Sequence, residues 1–119
     1  MLESRAESAL DRVRHFVAGM FEFGVGNAEL VGLLFHEASI EEEDELGAVE
    51  ARLLELVQTG VDVGELDVGE PAFTVEFLLH GLHGVMERAL VQRQPAEQVL
   101  ARVDPVIVAL LNPAQQVVR

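Results

Sequence analysis

Apolar residues recur three and four positions apart along most of the chain, and this spacing constrains the fold more than any other feature. Leu10, Val13 and Val17 follow it near the start, and Leu53 and Val57 follow it near the middle. One face of an α-helix collects residues at this spacing, whereas a half-buried strand needs apolar and polar residues in alternation. The sequence therefore predicts an all-α fold.

Four short breaks divide the apolar pattern into five predicted helices. Ser39 and Glu42 form a capping box at one break, and Pro71 and Pro95 stand where the first turn of a helix tolerates proline. The length of 119 residues suits one domain. The glycine-rich stretch before Pro71 predicts an irregular connection. The predicted helices span residues 1–24, 27–38, 40–59, 70–93 and 95–111.

The charge of the chain excludes one class of partner. Acidic residues outnumber basic ones 21 to 8, no residue is Lys, and the formal net charge is −13. Because cationic contacts to phosphate supply most nucleic-acid affinity, we expect no direct DNA binding. No segment has the roughly 20 apolar residues that span a bilayer, and no signal-peptide pattern is present, so we expect no membrane partner. The absence of Cys fits the reducing cytoplasm, where we expect the protein.

The predicted helix over 70–93 is apolar on two sides. At about 100° per residue, one face collects Val75, Leu78, Leu82, Val85, Met86 and Ala89. A different side carries Phe73, Phe77, Gly81, Gly84 and Val91. Glycine inside a helix costs about 0.5–1 kcal/mol relative to alanine. Gly81 and Gly84 therefore indicate a place where another backbone approaches closely.

The last predicted helix is also apolar on more than one side. Pro105 lies inside it and predicts a kink or break near Asp104. Its two apolar rows are Val103, Val106 and Leu110, and Leu100, Ile107 and Leu111. Spare apolar surface on two adjacent helices predicts a homodimer through a four-helix interface, and the alternative is that the other helices cover both faces. The predicted interface residues are Phe77, Gly81, Gly84, Arg88, Val103, Val106 and Leu110.

A small-molecule pocket is predicted between the first two helices. Phe16 and Met20 from the first helix would face Leu34 and Phe35 from the second. Mostly apolar walls between helices are typical of such sites, although ordinary core packing is the alternative for each residue. The full set of predicted effector contacts is Phe16, Met20, Leu34, Phe35, Phe77 and His80.

A narrow polar stripe gives an alternative function. Its members are spaced four, three and four positions apart: Glu76, His80, His83 and Glu87. Two imidazoles and two carboxylates suit a divalent metal such as Zn²⁺, with His36 and Glu37 as the obvious donors from another helix. The other interpretations are a polar seam or solvated face, and contact with an effector. We assign no metal or cofactor to this chain.

No arrangement of residues indicates catalysis. Ser4, Ser8 and Ser39 stand outside any nucleophile elbow, and Gly24-Val25-Gly26 lacks the strand and helix that a phosphate-binding loop needs. We therefore expect a protein that is not an enzyme. A purely structural dimer that binds no small molecule stays open as a third alternative.

The order of these features resembles the C-terminal ligand-binding and dimerisation domain of the TetR/AcrR family of transcriptional regulators. The resemblance covers about residues 5–112. It is carried by the amphipathic stretch and Gly-Glu-Leu turn of Leu53–Leu66, by the small-His-Gly centre of Phe77–Met86, and by the short helix over 28–38. It implies a five-helix bundle, a dimer through the last two helices, and a small hydrophobic or amphipathic effector. The family's DNA-binding helix-turn-helix is absent from these residues.

Overall fold

The computed structural model describes residues 7–26 and 40–114, with side chains for 7–23 and 47–114. It contains four α-helices in these ranges: α1 (Ala9–Gly26), α2 (Ile40–Asp62), α3 (Pro71–Gln92) and α4 (Ala96–Leu111). No strand occurs among the described residues. The prediction of an all-α fold is confirmed at this level. The predicted helix over 27–38, which would make the fifth, lies outside the described residues.

The first helix begins at Ala9, later than the sequence pattern predicts, because two acceptors cap it there. Ser8 Oγ accepts a hydrogen bond from the Asp11 amide at 3.1 Å, which is the ordinary geometry of a helix N-cap. Glu65 Oε1 accepts a second hydrogen bond, from the Ala9 amide at 2.6 Å. The second bond also ties the start of α1 to the connection that follows α2.

The connection between α2 and α3 folds back against the end of α2. The amides of Glu65 and Leu66 donate hydrogen bonds to the Gly60 carbonyl at 2.8 and 3.0 Å. Gly64 has a φ of +80°, a left-handed conformation that glycine adopts without steric cost. Leu66 is buried beneath Gly60, so the irregular connection closes one end of the core.

The same connection holds the end of α4. The Asp67 amide donates to the carbonyls of Leu111 and Asn112, at 3.3 and 3.1 Å, and the Ala114 amide donates to the Glu65 carbonyl at 2.8 Å. Leu66 and Pro113 form an isolated antiparallel β-bridge there. The start of α1, the end of α2 and the end of α4 therefore meet at one end of the molecule.

Within the described residues, one apolar core lies between the helices. Each helix contributes residues three and four positions apart, as the sequence spacing predicts. The side chains that are almost completely enclosed are Val13, Val17, Phe21, Leu53, Val57, Val75, Leu79, Ile107 and Leu111. No polar or charged residue is buried among the described side chains.

The two faces predicted for α3 are present, with one exception. Val75, Leu78, Leu82, Met86 and Ala89 are buried as expected, together with Leu79. Val85, which was assigned to the inner face by its spacing, is 41% exposed and lies on the outer side. The prediction for Val85 is wrong because Val85 lies at the border of the inner face, where it lines the space between the last two helices. The residues predicted for the outer side, Phe73, Phe77, Gly81, Gly84 and Val91, are all exposed.

The last helix differs from its prediction in two respects. Its buried row is Val99, Val103, Ile107 and Leu111, which mixes the two predicted rows. Val106 is 54% exposed and faces outward. The helix also runs unbroken through Pro105, so the expected break near Asp104 does not occur. Proline removes the donor to the Ala101 carbonyl, and Ala101 is exposed, so water can satisfy that carbonyl.

An ion pair joins α1 to α4. Arg14 Nε donates to Asp104 Oδ1 at 2.6 Å, and Arg14 Nη2 donates to Asp104 Oδ2 at 2.9 Å. Asp11 lies 3.4 Å from the same guanidinium. The hydrogen bonds from Asp104 raise the pKa of Arg14, which is protonated in any case. Both partners are more than a third exposed, so the pair orients α4 more than it stabilises the fold.

Candidate functional site

An apolar groove of about 330 Å³ lies between α3 and α4. We call it the α3–α4 groove. Buried side chains of Leu78, Leu82 and Val103 form its floor. Its rim includes Phe77, which is 63% exposed, and the outward-facing Val106. The full lining is Phe77, Leu78, Gly81, Leu82, Val85, Arg88, Gln92, Gln94, Val99, Arg102, Val103, Val106 and Leu110.

Residue spacing on α3 produces one wall of the groove. Phe77, Gly81 and Val85 are four positions apart, so they follow one side of the helix. A Cβ atom added at Gly81 would meet nothing within 4 Å, and the same holds at Gly84. The missing side chains leave the backbone of α3 open to a second molecule at these two positions.

The turn between α3 and α4 places the second wall. Arg93 adopts a left-handed conformation, with φ of 53°, and ends α3. The Gln94 amide donates back to the Ala89 carbonyl at 2.9 Å, and the extended Pro95 then starts α4. This short αα-turn makes the two helices neighbours that run in opposite directions.

The polar lining residues are concentrated at one end of the groove. Arg88, Gln92, Gln94 and Arg102 all lie in the half nearest the turn between the helices. Phe77 lies in the far half, together with the other apolar residues of the rim. Among the described residues, the two arginines are the only charged members of the lining, and none of these members is acidic.

A shallow depression continues the groove along α3. Its lining shares Phe77 and Gly81 with the groove and adds Phe73, Glu76 and His80. The two phenylalanines are four positions apart, and both are about two-thirds exposed. The outer side of α3 therefore presents a continuous apolar strip from its first turn to the glycines.

The residues predicted for the dimer interface come together in the structure. Six of the seven line the α3–α4 groove: Phe77, Gly81, Arg88, Val103, Val106 and Leu110. Gly84 lies on the exposed side of α3 but outside the lining. Spacing on two separate helices was therefore sufficient to find most of one surface.

Of the residues predicted as effector contacts, Phe77 and His80 line the groove or the depression. Phe16 is half-buried and packs against the core, because it is adjacent in the helix to the buried row of Val13 and Val17. Phe16 and Met20 line neither the groove nor the depression. Phe77 lines both, and His80 lines only the depression. The predicted contacts Leu34 and Phe35 lie outside the described residues.

The polar stripe does not form a metal site in the described part of the chain. No three His, Asp or Glu side chains converge there. Glu76, His80 and Glu87 are exposed on one helix, and His83 is half-buried. A metal site in a helical bundle normally takes ligands from facing helices. The candidates named for that purpose, His36 and Glu37, lie outside the described residues.

Several lining residues were missed by reasoning from the sequence. Gln92, Gln94 and Arg102 contribute to the groove only because the turn brings the end of α3 beside the start of α4. The signal that pointed to them was Gln94-Pro95, which marks a short turn between two helices. Arg102 could have been found from its position four residues before the predicted Val106.

The chain matches no protein-family model, no curated protein and no solved structure. No helix within the described residues is both long and apolar enough to cross a membrane.

Proposed function

We propose that this chain is the effector-sensing and dimerisation module of a TetR-like transcriptional regulator and that it forms a homodimer. The observation that carries the proposal is the α3–α4 groove, whose apolar rim is open on the last two helices. A contiguous apolar surface of this kind marks an interaction site more often than a solvated face. In a two-fold symmetric dimer, this apolar surface would be buried on both protomers in one interface.

The glycines favour a second copy of the chain as the occupant. Helices in contact usually lie 8–10 Å apart, and small residues allow the shorter distances. Gly81 and Gly84 are open to solvent and are one turn apart. Phe77 lies one turn before Gly81. In an antiparallel crossing centred here, the Phe77 ring of each protomer would lie over the glycine gap of the other.

The regulatory role is carried by the resemblance in the sequence. The turn at Gly60–Leu66 and the centre of Phe77–Met86 resemble the family, and the last two helices expose the surface that the family uses for its dimer. The net charge of −13 argues against contact with DNA by these residues. We therefore assign the sensing role to this chain, with a small hydrophobic or amphipathic molecule as its effector.

Analytical ultracentrifugation of the chain and of two matched variants tests the proposed dimer. We expect a dimer at tens of micromolar protein. The Gly81→Leu change should weaken dimerisation at least tenfold, because the leucine fills the gap that the partner needs. It should not destabilise the monomer, because there is open space at this position and leucine is a good helix former.

The control variant is Gly47→Leu. Gly47 is an exposed glycine on α2, and it also has nothing within 4 Å of an added Cβ atom. This change should leave the dissociation constant as it is in the unaltered chain. A monomer at tens of micromolar protein, or equal effects of the two leucines, would contradict the proposed interface.

A further inference from the structure

We propose that the α3–α4 groove binds an amphipathic aliphatic carboxylate. The carboxylate group contacts Arg88 and Arg102, and the aliphatic chain lies along the apolar half toward Phe77. The inference rests on the proposed sensing function, because it names the chemical class of the effector. It also moves the effector site from α1 to the outer surface of α3 and α4.

The charge of the groove is opposite to that of the chain. Acidic residues outnumber arginines 21 to 8 in the sequence, yet the two charged residues of the described lining are both arginines. Within the described side chains, ion pairs occupy Arg14 and Arg52 but neither Arg88 nor Arg102. Two guanidinium groups are therefore available, and each presents a planar fork of donors that suits a carboxylate.

The position of the arginines defines the shape of the ligand. Both lie in the half of the groove that is nearest the turn, beside Gln92 and Gln94. The apolar half extends along α3 to Phe77, which is eleven residues before Arg88 and so about 16 Å away along the helix axis. A ligand that matches both halves has one anionic end and one extended apolar chain.

The charge of the whole chain favours a free molecule over a membrane surface. A protein with a net charge of −13 is repelled by an anionic bilayer, so a lipid headgroup is not the expected source of the anion. A single small carboxylate carries one negative charge, so the acidic protein repels it less than it repels a whole anionic membrane surface. We therefore commit to a soluble carboxylate of medium chain length.

The ligand and the second protomer use the same residues. Phe77, Gly81 and Val106 line the groove and belong to the proposed dimer interface. A carboxylate in the groove excludes the partner from these residues, so binding and dimerisation oppose each other. The carboxylate should therefore raise the dissociation constant of the dimer.

Isothermal titration calorimetry of the full chain with decanoate tests the inference, and 1-decanol serves as the neutral probe. We expect saturable binding of one decanoate per chain. Decanol should bind at least tenfold more weakly, because it lacks the charge that the arginines recognise. The Arg88→Gln, Arg102→Gln double variant should also lose at least tenfold in decanoate affinity.

The matched control is the Arg12→Gln, Arg93→Gln double variant. It removes the same charge from exposed positions that do not line the groove, so decanoate affinity should stay unchanged. Far-UV circular dichroism checks that both double variants fold. The comparison of decanoate with decanol in the unaltered chain tests whether the groove recognises the negative charge of the ligand, and it needs no substitution.

Ultracentrifugation with and without decanoate separates this inference from the proposed dimer. A dimer that decanoate dissociates supports both. Decanoate binding that depends on the arginines, in a chain that stays monomeric, supports the ligand and refutes the dimer. A dimer that binds decanoate no better than decanol overturns the inference and leaves the dimer intact. Equal losses in the two double variants would also overturn it.

Discussion

Gly60 occupies the most crowded backbone position among the described glycines. A Cβ atom there would lie 2.5 Å from Leu66 Cδ1, 2.7 Å from Leu66 Cγ and 2.8 Å from Ala9 Cβ. Leu66 is buried, and its amide is hydrogen-bonded to the Gly60 carbonyl, so its side chain has little room to move. Ala9 has no side-chain torsion, so it can move only together with the backbone of α1. The Gly60→Ala change therefore forces a shift in two elements.

The expected effect is a net loss of stability. Overpacking of a core costs about 1–3 kcal/mol, and three contacts below 3.0 Å place this position in the upper half of that range. Alanine in a helix regains about 1 kcal/mol relative to glycine. The difference is a loss of about 1–2 kcal/mol. For a chain of this size the melting temperature should fall by roughly 4–8 °C.

Gly47→Ala is the matched control, because it makes the same change in the same helix. Gly47 is exposed, and an added Cβ atom meets nothing within 4 Å, so only the helix propensity acts. This variant should gain about 0.5–1 kcal/mol. The two substitutions therefore have opposite signs.

Thermal unfolding followed by far-UV circular dichroism measures both variants, since the chain has no Trp or Tyr for fluorescence. All samples need the same protein concentration, because a dimer makes the melting temperature depend on it. A Gly60→Ala variant as stable as the unaltered chain would show that Leu66 and Ala9 do not pack on Gly60, and the proposed closure of this end would be wrong.

Three further predictions concern the ends of the helices and the charge of the chain. Glu65→Ala should cost about 1 kcal/mol because it removes the acceptor at the start of α1, whereas Glu65→Gln keeps an acceptor and should cost less in the same thermal assay. A double-mutant cycle on Arg14→Ala and Asp104→Ala should give a coupling of about 0.5–1 kcal/mol in urea unfolding, and this coupling should shrink at 1 M salt. The chain should not retard duplex DNA in a gel at about 0.15 M salt, and retention that falls steeply with salt would contradict the charge argument.

The helices could be predicted from the sequence because each carries its own signals. The apolar period and the proline at the start of α3 are both local. Burial was harder to predict for the residues of α3 that lie between its inner and outer faces. Val85 and Leu79 are both apolar and lie at the borders of the inner face, so spacing alone cannot decide which one the other helices will cover.

Contacts between distant residues could not be predicted in the same way. Glu65 caps a helix that begins 56 positions earlier, and Arg14 pairs with a residue 90 positions later. Surface Glu and Arg are common in any soluble chain, so neither residue has a local signature that marks its partner. The Gly-Glu-Leu turn was noted as a family-like feature, and the structure gives it physical roles: the glutamate caps α1, and the leucine fills the space beneath Gly60.

The groove shows why a binding surface can be predicted only in part from local sequence. Spacing identified Phe77, Val106 and their apolar neighbours, because each lies on the exposed side of its own helix. The cationic half depends on both helices, since Arg88 and Arg102 line the same groove only because the turn brings α3 and α4 together. The charge composition gave no indication of a cationic surface, because the chain as a whole is strongly acidic. The identity of a ligand is thus determined by the few residues that the turn brings together, and not by the average of the chain.

Residues of α4 take part in both the α3–α4 groove and the contact with α1. Arg102 lines the groove, and two residues later Asp104 forms the ion pair with Arg14 of α1. Asp67 holds the end of the same helix through the carbonyls of Leu111 and Asn112. Because Arg102 and Asp104 are two residues apart on one helix, α4 contributes both to the α3–α4 groove and to the ion pair with Arg14 of α1.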